Sequence, residues 1–271
     1  LSSSLQSIQV QRGVGTSTNG SAAFGASMSL KTVGATSSPY GEASTAIGSY
    51  GTFTSSIAAG TGVLSNGLAL DARYSKILSD GYIRNGKVDH TNIFASLSHY
   101  SDKQLIRLSY INGIQHTGIT WNGASPEDIK EYGRKFNSAG MYKDDVGNIR
   151  YYDNDTDNYY SNILQLMLSR ELTDRLSLNV SLSYTNGYGY YENYRAGDKM
   201  IKGDEYLKYG LDNQRVDGVE YKSSQLIRRK LLSNDFYVAN FSLNYNLNPL
   251  HLVFGGYWSD FDGSHYGRLP W

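Results

Sequence analysis

Residues 175–184 read Arg175-Leu176-Ser177-Leu178-Asn179-Val180-Ser181-Leu182-Ser183-Tyr184, with polar and apolar side chains alternating unbroken from end to end. A period of two sends one set to each face of a β-strand, making one face oily and the other wet. Tyr188, Tyr190, Tyr191 and Tyr194 follow closely. The same grammar recurs from about residue 41 onward, in alternating segments of roughly ten residues separated by short turns and long polar tracts. Such a pattern predicts an all-β fold, a transmembrane antiparallel β-barrel with an apolar outer face, a polar lumen and aromatics at the water interface.

Composition agrees. The 271 residues would hold one large β domain or two ordinary ones. Basic and acidic residues balance at 25 each, so no nucleic-acid partner is expected. The hydrophobic fraction of 39% is low for a soluble core of this size but enough for strands with a single apolar face. Tyrosine is abundant, 24 residues, and its ring and hydroxyl suit a bilayer interface. The absence of cysteine excludes disulfides, thiolate metal sites and a Cys nucleophile. No run of about 18 apolar residues predicts a membrane-spanning helix. Leu1 opens no signal peptide, so the N-terminus reads as processed, trimmed or missing.

Residues 1–34 differ from the rest. Ile8 and Val10 mark a short strand ending at Arg12-Gly13-Val14-Gly15, and a second strand covers 27–31. Between them lies a stretch of Gly, Asn, Ser and Ala that permits positive φ and close backbone approach. Ser/Gly linkers rarely sit between two alternating strands, so this reads as ordered structure. Nine strands are then expected at about 41–49, 52–62, 67–78, 91–100, 104–116, 161–171, 175–184, 235–246 and 250–262. Connections after the second, fourth, sixth and eighth are short. Two of the others, 117–160 and 195–234, read as long polar loops, a length that a compact soluble domain should not need. Short turns at one end and long loops at the other are the outer-membrane asymmetry. Nine is an odd count for a single-chain bacterial barrel, and the chain ends at Leu269-Pro270-Trp271 as if entering another loop. It reads as a piece of a longer chain.

Several clusters invite a chemical reading. Asp153, Asp155 and Asp157 resemble the opening of an EF-hand calcium loop, but Asn158 replaces the glycine and Leu164 the closing glutamate. A solvated acidic loop is the stronger reading, with bound calcium the weaker. The five histidines show no metal-ligand spacing. His116, near a loop mouth, would touch a haem or metal chelate if it is more than an interfacial histidine. Arg228-Arg229-Lys230 reads as a solvated loop end, or as a site for an anionic ligand or lipopolysaccharide phosphate. No Gly-x-Ser-x-Gly elbow and no phosphate loop occurs.

Residues 8–32, Ile8-Gln9-Val10-Gln11-Arg12-Gly13-Val14-Gly15-Thr16-Ser17-Thr18-Asn19-Gly20-Ser21-Ala22-Ala23-Phe24-Gly25-Ala26-Ser27-Met28-Ser29-Leu30-Lys31-Thr32, resemble the end of the plug domain of TonB-dependent outer-membrane receptors, especially those of Bacteroidetes. Gly48-Ser49-Tyr50-Gly51-Thr52, Tyr152-Asp153-Asn154-Asp155-Thr156-Asp157-Asn158-Tyr159, Gly187-Tyr188-Gly189-Tyr190-Tyr191-Glu192 and Asp262-Gly263-Ser264-His265-Tyr266-Gly267 are similar to that family in the same order. Gln9 stands where the family's plug-end strand commonly has a glutamate. The resemblance implies that residues 1–34 end a plug and that 35–271 form about the first nine strands of a 22-stranded, plugged barrel. It implies Arg12, Gly13, Gly15, Asn19, Gly20 and Gly25 as the plug-end motif. His116, Trp121, Tyr142, Tyr151, Tyr152, Tyr190 and Tyr191 would be ligand-contacting residues. The implied function is import of a scarce nutrient such as a ferric siderophore or haem, powered by the TonB–ExbB–ExbD complex, with no intrinsic cofactor and no catalysis. The lipid bilayer and lipopolysaccharide are the implied surroundings. A passive porin or adhesin barrel is the alternative; it requires an even-stranded, self-contained barrel without a plug.

Overall fold

A computed structural model of the chain describes residues 4–13, 25–196, 201–202, 209–210, 214–221 and 223–270. Of the plug-end residues, Gly15, Asn19 and Gly20 lie outside these. β1 (Leu5–Arg12) and β2 (Ala26–Thr32) pair antiparallel, and a bond from Gly13 N to Gly25 O continues the pairing past Arg12. Gly13 adopts φ +80°, a conformation that glycine takes without strain.

The nine expected strands are present. They are β3 (Tyr40–Ile47), β4 (Phe53–Gly60), β5 (Leu68–Ser79), β6 (Val88–Ser101), β7 (Gln104–Gly118), β10 (Thr156–Thr173), β11 (Leu176–Arg195), β16 (Leu226–Leu247) and β17 (Leu250–Arg268). Between them lie α1 (Pro126–Tyr132) and the short strands β8 (Met141–Lys143), β9 (Ile149–Tyr151), β12 (Ile201–Lys202), β13 (Gln214–Val216), β14 (Val219–Tyr221) and β15 (Ser223–Ser224). The nine long strands form one antiparallel sheet in which each pairs with its neighbour in sequence, with β3 and β17 at the two edges.

The sheet is inside out by the standard of a soluble protein. Leu70 pairs across to Leu97, Leu97 to Leu108, Leu108 to Leu166, Leu166 to Leu182, Leu182 to Ala239 and Ala239 to Trp258. Paired residues share a face, so this is one continuous apolar row across seven strands. Its leucines are exposed, Leu70 at 51% and Leu182 at 46%. The opposite face is polar and buried, with Asp71 at 3%, Ser96 at 3% and Ser109 at 1%. An exposed apolar patch of this extent needs a non-aqueous partner. A bilayer supplies one.

Two residues further along the same face, Tyr110, Leu164, Tyr184 and Tyr237 form the next row. Tyr184 and Tyr237 stack at 4.9 Å. Beyond them Asn112, Asn162, Asn186, Asp235 and Asp262 form a polar row. Tyr110 Oη donates to Asn162 Oδ1 at 2.8 Å and Tyr184 Oη to Asp235 Oδ1 at 2.6 Å. Rings toward the oil and hydroxyls toward the polar row are the arrangement an interface girdle requires.

Two expectations need correction. The strands overrun their predicted ends: β11 has 20 residues where a membrane-crossing strand needs about 9–11. The long tracts are correspondingly shorter and partly structured. Tyr190, Tyr191 and the Arg228-Arg229-Lys230 run are strand residues, not loop residues, and His116, read at the end of the strand 104–116 and the mouth of a loop, lies within β7. Past the polar row both faces meet polar surroundings, so the alternation fades while backbone pairing continues.

The segment before the sheet touches its polar face. Ser4 Oγ donates to Asn92 Oδ1 at 3.1 Å, and Gly34 passes so near Arg107 that a Cβ there would sit 3.2 Å from the guanidinium. Arg107 donates from Nε to Ser98 Oγ and from Nη2 to Tyr100 Oη.

Candidate functional site

The connections 80–87 and 119–155 and the strand ends at Arg195 and Leu226 lie at the end of the sheet beyond the polar row. There the segment 119–155 is folded rather than loose. Ser125 caps α1 by accepting from Asp128 N at 3.1 Å, while Asp128 Oδ2 accepts from Ser125 N at 2.9 Å; Pro126 opens the helix. Asn137 Nδ2 donates to Ile119 O and Arg84 O, Arg84 Nη1 to Ala139 O, and Asn85 Nδ2 to Asp155 O. These bonds lock the 80–87 connection to the longer segment. The Arg84 guanidinium also lies 3.4 Å over the Tyr151 ring, and burial lowers its pKa.

A second lock holds the segment to the strands. Glu192 on β11 is buried, its side chain 3% exposed. It accepts from Tyr152 Oη at 2.6 Å, Asn154 Nδ2 at 2.5 Å and Arg229 Nε at 2.5 Å. Burial pushes the Glu192 pKa up, but the bonds from Tyr152, Arg229 and Asn154 outweigh it and hold the carboxyl below its ordinary range. The same site drives the Tyr152 hydroxyl up to about 12, through burial first and the Glu192 bond second. Arg229 is thus committed to Glu192 and lies 4.5 Å over the Tyr190 ring.

Between this segment and the ends of β11 and β16 is a cavity of about 490 Å³. Trp121, Tyr191 and Tyr194 give it aromatic walls, and Asn193, Arg195 and Arg228 give it polar ones. Asp155, 5% exposed, also lines it. Trp121 meets Tyr191 edge to face at 5.7 Å, and Tyr194 meets Tyr142 the same way at 5.0 Å. Arg228 Nε donates to Asn193 Oδ1 at 3.2 Å. The volume lies within the ordinary range for small-molecule sites, ~300–1,000 Å³.

The sequence-predicted residues divide. Trp121 and Tyr191 line this cavity, with Tyr142 and Tyr152 behind it through Tyr194. Tyr151 is held under Arg84, and Tyr190 under Arg229. His116 stands elsewhere, on the face that continues the apolar rows. Its Nδ1 pairs with Asn158 Oδ1 at 2.8 Å and its Nε2 with Tyr160 Oη at 3.3 Å. Asp153, Asp155 and Asp157 do not converge: among the described residues no three His, Asp or Glu side chains gather as cation ligands would. Asp153 lies in a turn, Asp155 just before β10 and Asp157 within it. Asn193, Tyr194, Arg195 and Arg228 come together by strand pairing across a connection of some 30 residues, which local spacing does not reveal.

No protein-family profile matches the sequence. No curated protein matches it either. Solved structures do. The siderophore receptor PiuA from Acinetobacter baumannii is 15% identical, aligning over 97% of this chain and 36% of its own with a TM-score of 0.67. The ferripyoverdine receptor of the outer membrane of Pseudomonas aeruginosa, solved with ferripyoverdine bound, is 11% identical over 98% of this chain and 33% of its own, at 0.65. The ferric-catecholate import receptor Fiu from E. coli K12 is 13% identical over 98% of this chain and 40% of its own, at 0.69. The chain therefore spans about a third of the length of these receptors and shares the fold of that part of them.

Proposed function

We propose that this chain forms part of the wall and outer vestibule of a TonB-dependent receptor that imports an iron–siderophore complex across the outer membrane. The observation that supports this most is the shared fold, over 97–98% of the chain, with receptors for siderophores. The exposed apolar row, the girdle and the one-sided long connections support a place in the outer membrane. In this reading residues 1–34 end a plug whose last segment leans on the wall at Asn92 and Arg107, and the nine strands begin a 22-stranded barrel. Lipopolysaccharide would surround the outer rows, and TonB–ExbB–ExbD would act on the plug. The chemistry is binding and displacement, without bond-making.

The test is uptake of ⁵⁵Fe-loaded siderophores by cells carrying the gene, its deletion, or a version lacking residues 120–154. Import that depends on TonB, vanishes with the gene and falls at least tenfold with the internal deletion at equal surface expression supports the reading. Iron import unchanged in all three strains refutes it.

A further inference from the structure

Beyond the bilayer region the cavity between β11, β16 and segment 119–155 has a definite charge pattern. Among the described residues that line it, Arg195 and Arg228 carry guanidinium groups and Asp155, 5% exposed, the carboxylate; both Arg195 and Asp155 are engaged in further interactions, which leaves Arg228 as the group to consider. Of the carboxylates near it, Glu192 is saturated by Arg229, Tyr152 and Asn154 and offers nothing to a ligand, and Asp145 acts on the Tyr194 hydroxyl. Arg228 gives Nε to Asn193 Oδ1, which fixes the plane of its guanidinium. Among the described residues no acceptor takes its two terminal nitrogens. A guanidinium oriented this way is suited to two parallel bonds with an anionic oxygen pair. Next to it stand two aromatic rings nearly perpendicular to each other, Trp121, 58% exposed, and Tyr191.

We propose that this cavity takes an iron chelate of net negative charge, whose carboxylate or phenolate oxygens meet Arg228 and whose ring system lies against Trp121 and Tyr191. The inference rests on the transport reading above and narrows it to one charge class. Neutral and cationic chelates of similar size would find the aromatic rings but offer the guanidinium only neutral acceptors, without a charge-assisted pair, and a cationic one would meet repulsion from Arg228.

The experiment uses the purified full-length gene product and three probes of similar size: a trianionic ferric tris-catecholate, a neutral ferric trihydroxamate and a cationic ferric trihydroxamate. Binding is read by quenching of tryptophan fluorescence and by equilibrium dialysis with ⁵⁵Fe. The expected result is a Kd for the trianion at least tenfold below the other two. Arg228→Gln should erase most of that advantage, Arg228→Lys should restore part of it, and neither should move the neutral probe. Heat-modifiable migration on gels certifies that each variant is folded. Equal or tighter binding of the neutral or cationic probe, or an unchanged trianion Kd in folded Arg228→Gln, overturns the charge assignment while leaving iron transport standing. No binding of any of the three overturns both.

Discussion

Tyr152 Oη donates to Glu192 Oε1 across 2.6 Å, and this bond joins the segment that leaves β7 to the far end of β11, 40 residues later. With Asn154 and Arg229 it makes Glu192 the peg on which the outer structure hangs. Replacing Glu192 by Ala removes all three bonds and leaves the Arg229 cation without its partner. A buried hydrogen-bonded carboxylate of this kind contributes about 1–3 kcal/mol. Because Arg229 is partly solvated, the loss should be local. Amide exchange across residues 141–155 should accelerate about tenfold or more, with the strands of the wall unaffected. Unchanged exchange there would show that the peg carries nothing.

The same node fixes a pH window. Glu192 has a folded pKa below its unfolded value, so its contribution is complete above the ordinary carboxylate range and is lost as pH falls through the depressed folded value. Tyr152 is raised from 10.0 to about 12, so its contribution is complete below pH 10.0 and is lost as pH climbs toward 12. Protease protection of residues 120–154 should therefore be flat through neutrality and fail at both extremes. Glu192→Gln should flatten the acid limb. A single loss centred near pH 6–7, the histidine range, would contradict this assignment.

Leu182 and Ser181 are neighbours in sequence on opposite faces of β11. Leu182→Arg places a charge in the apolar row and should cost about 2–4 kcal/mol in folding into lipid vesicles. Ser181→Arg, on the polar face, should cost far less. Urea titrations in vesicles measure both. Equal costs would remove the distinction between the faces.

Gly187 and Gly189 lie under the Tyr159 ring, across from it on β10, and Tyr159 Oη reaches Asn234 Oδ1 at 3.3 Å. A Cβ at Gly189 would come within 2.4 Å of Asn158 O, a backbone atom that cannot step aside. Gly189→Val should lower the yield of folded protein sharply. Tyr159→Ala should remove cover from two bare glycines and soften β10 and β11 above the girdle, seen as faster exchange at 156–160. A fully folded Gly189→Val would contradict the register.

What could be read from sequence follows where lipid ends. Residues 176–184 betray themselves because one face must be oily; all nine long strands were legible by the same rule. Residues 185–195, Thr185 to Arg195, continue the same strand, yet beyond the Gly187-Tyr188-Gly189-Tyr190 alternation they carry no polar–apolar period of two. That is why Tyr190 and Arg229 read as loop residues. The helix α1 was signalled by Ser125-Pro126-Glu127-Asp128, a capping sequence hidden in a tract read only as polar. The cavity was half legible: its aromatics Trp121 and Tyr191 stand out by type. Arg228 and Asn193 become neighbours only through the register of β11 with β16.

The claim on which everything else rests is that the Leu178, Val180 and Leu182 face of β11 meets lipid. These 271 residues contain no cysteine, so single cysteines at 177–182, with any cysteine elsewhere in the full-length protein replaced by serine, can be labelled with an environment-sensitive fluorophore. With the full-length protein in bilayers, quenching by brominated lipid chains should alternate, strong at 178, 180 and 182 and weak at 177, 179 and 181. Uniform quenching, or the opposite alternation, would contradict the account.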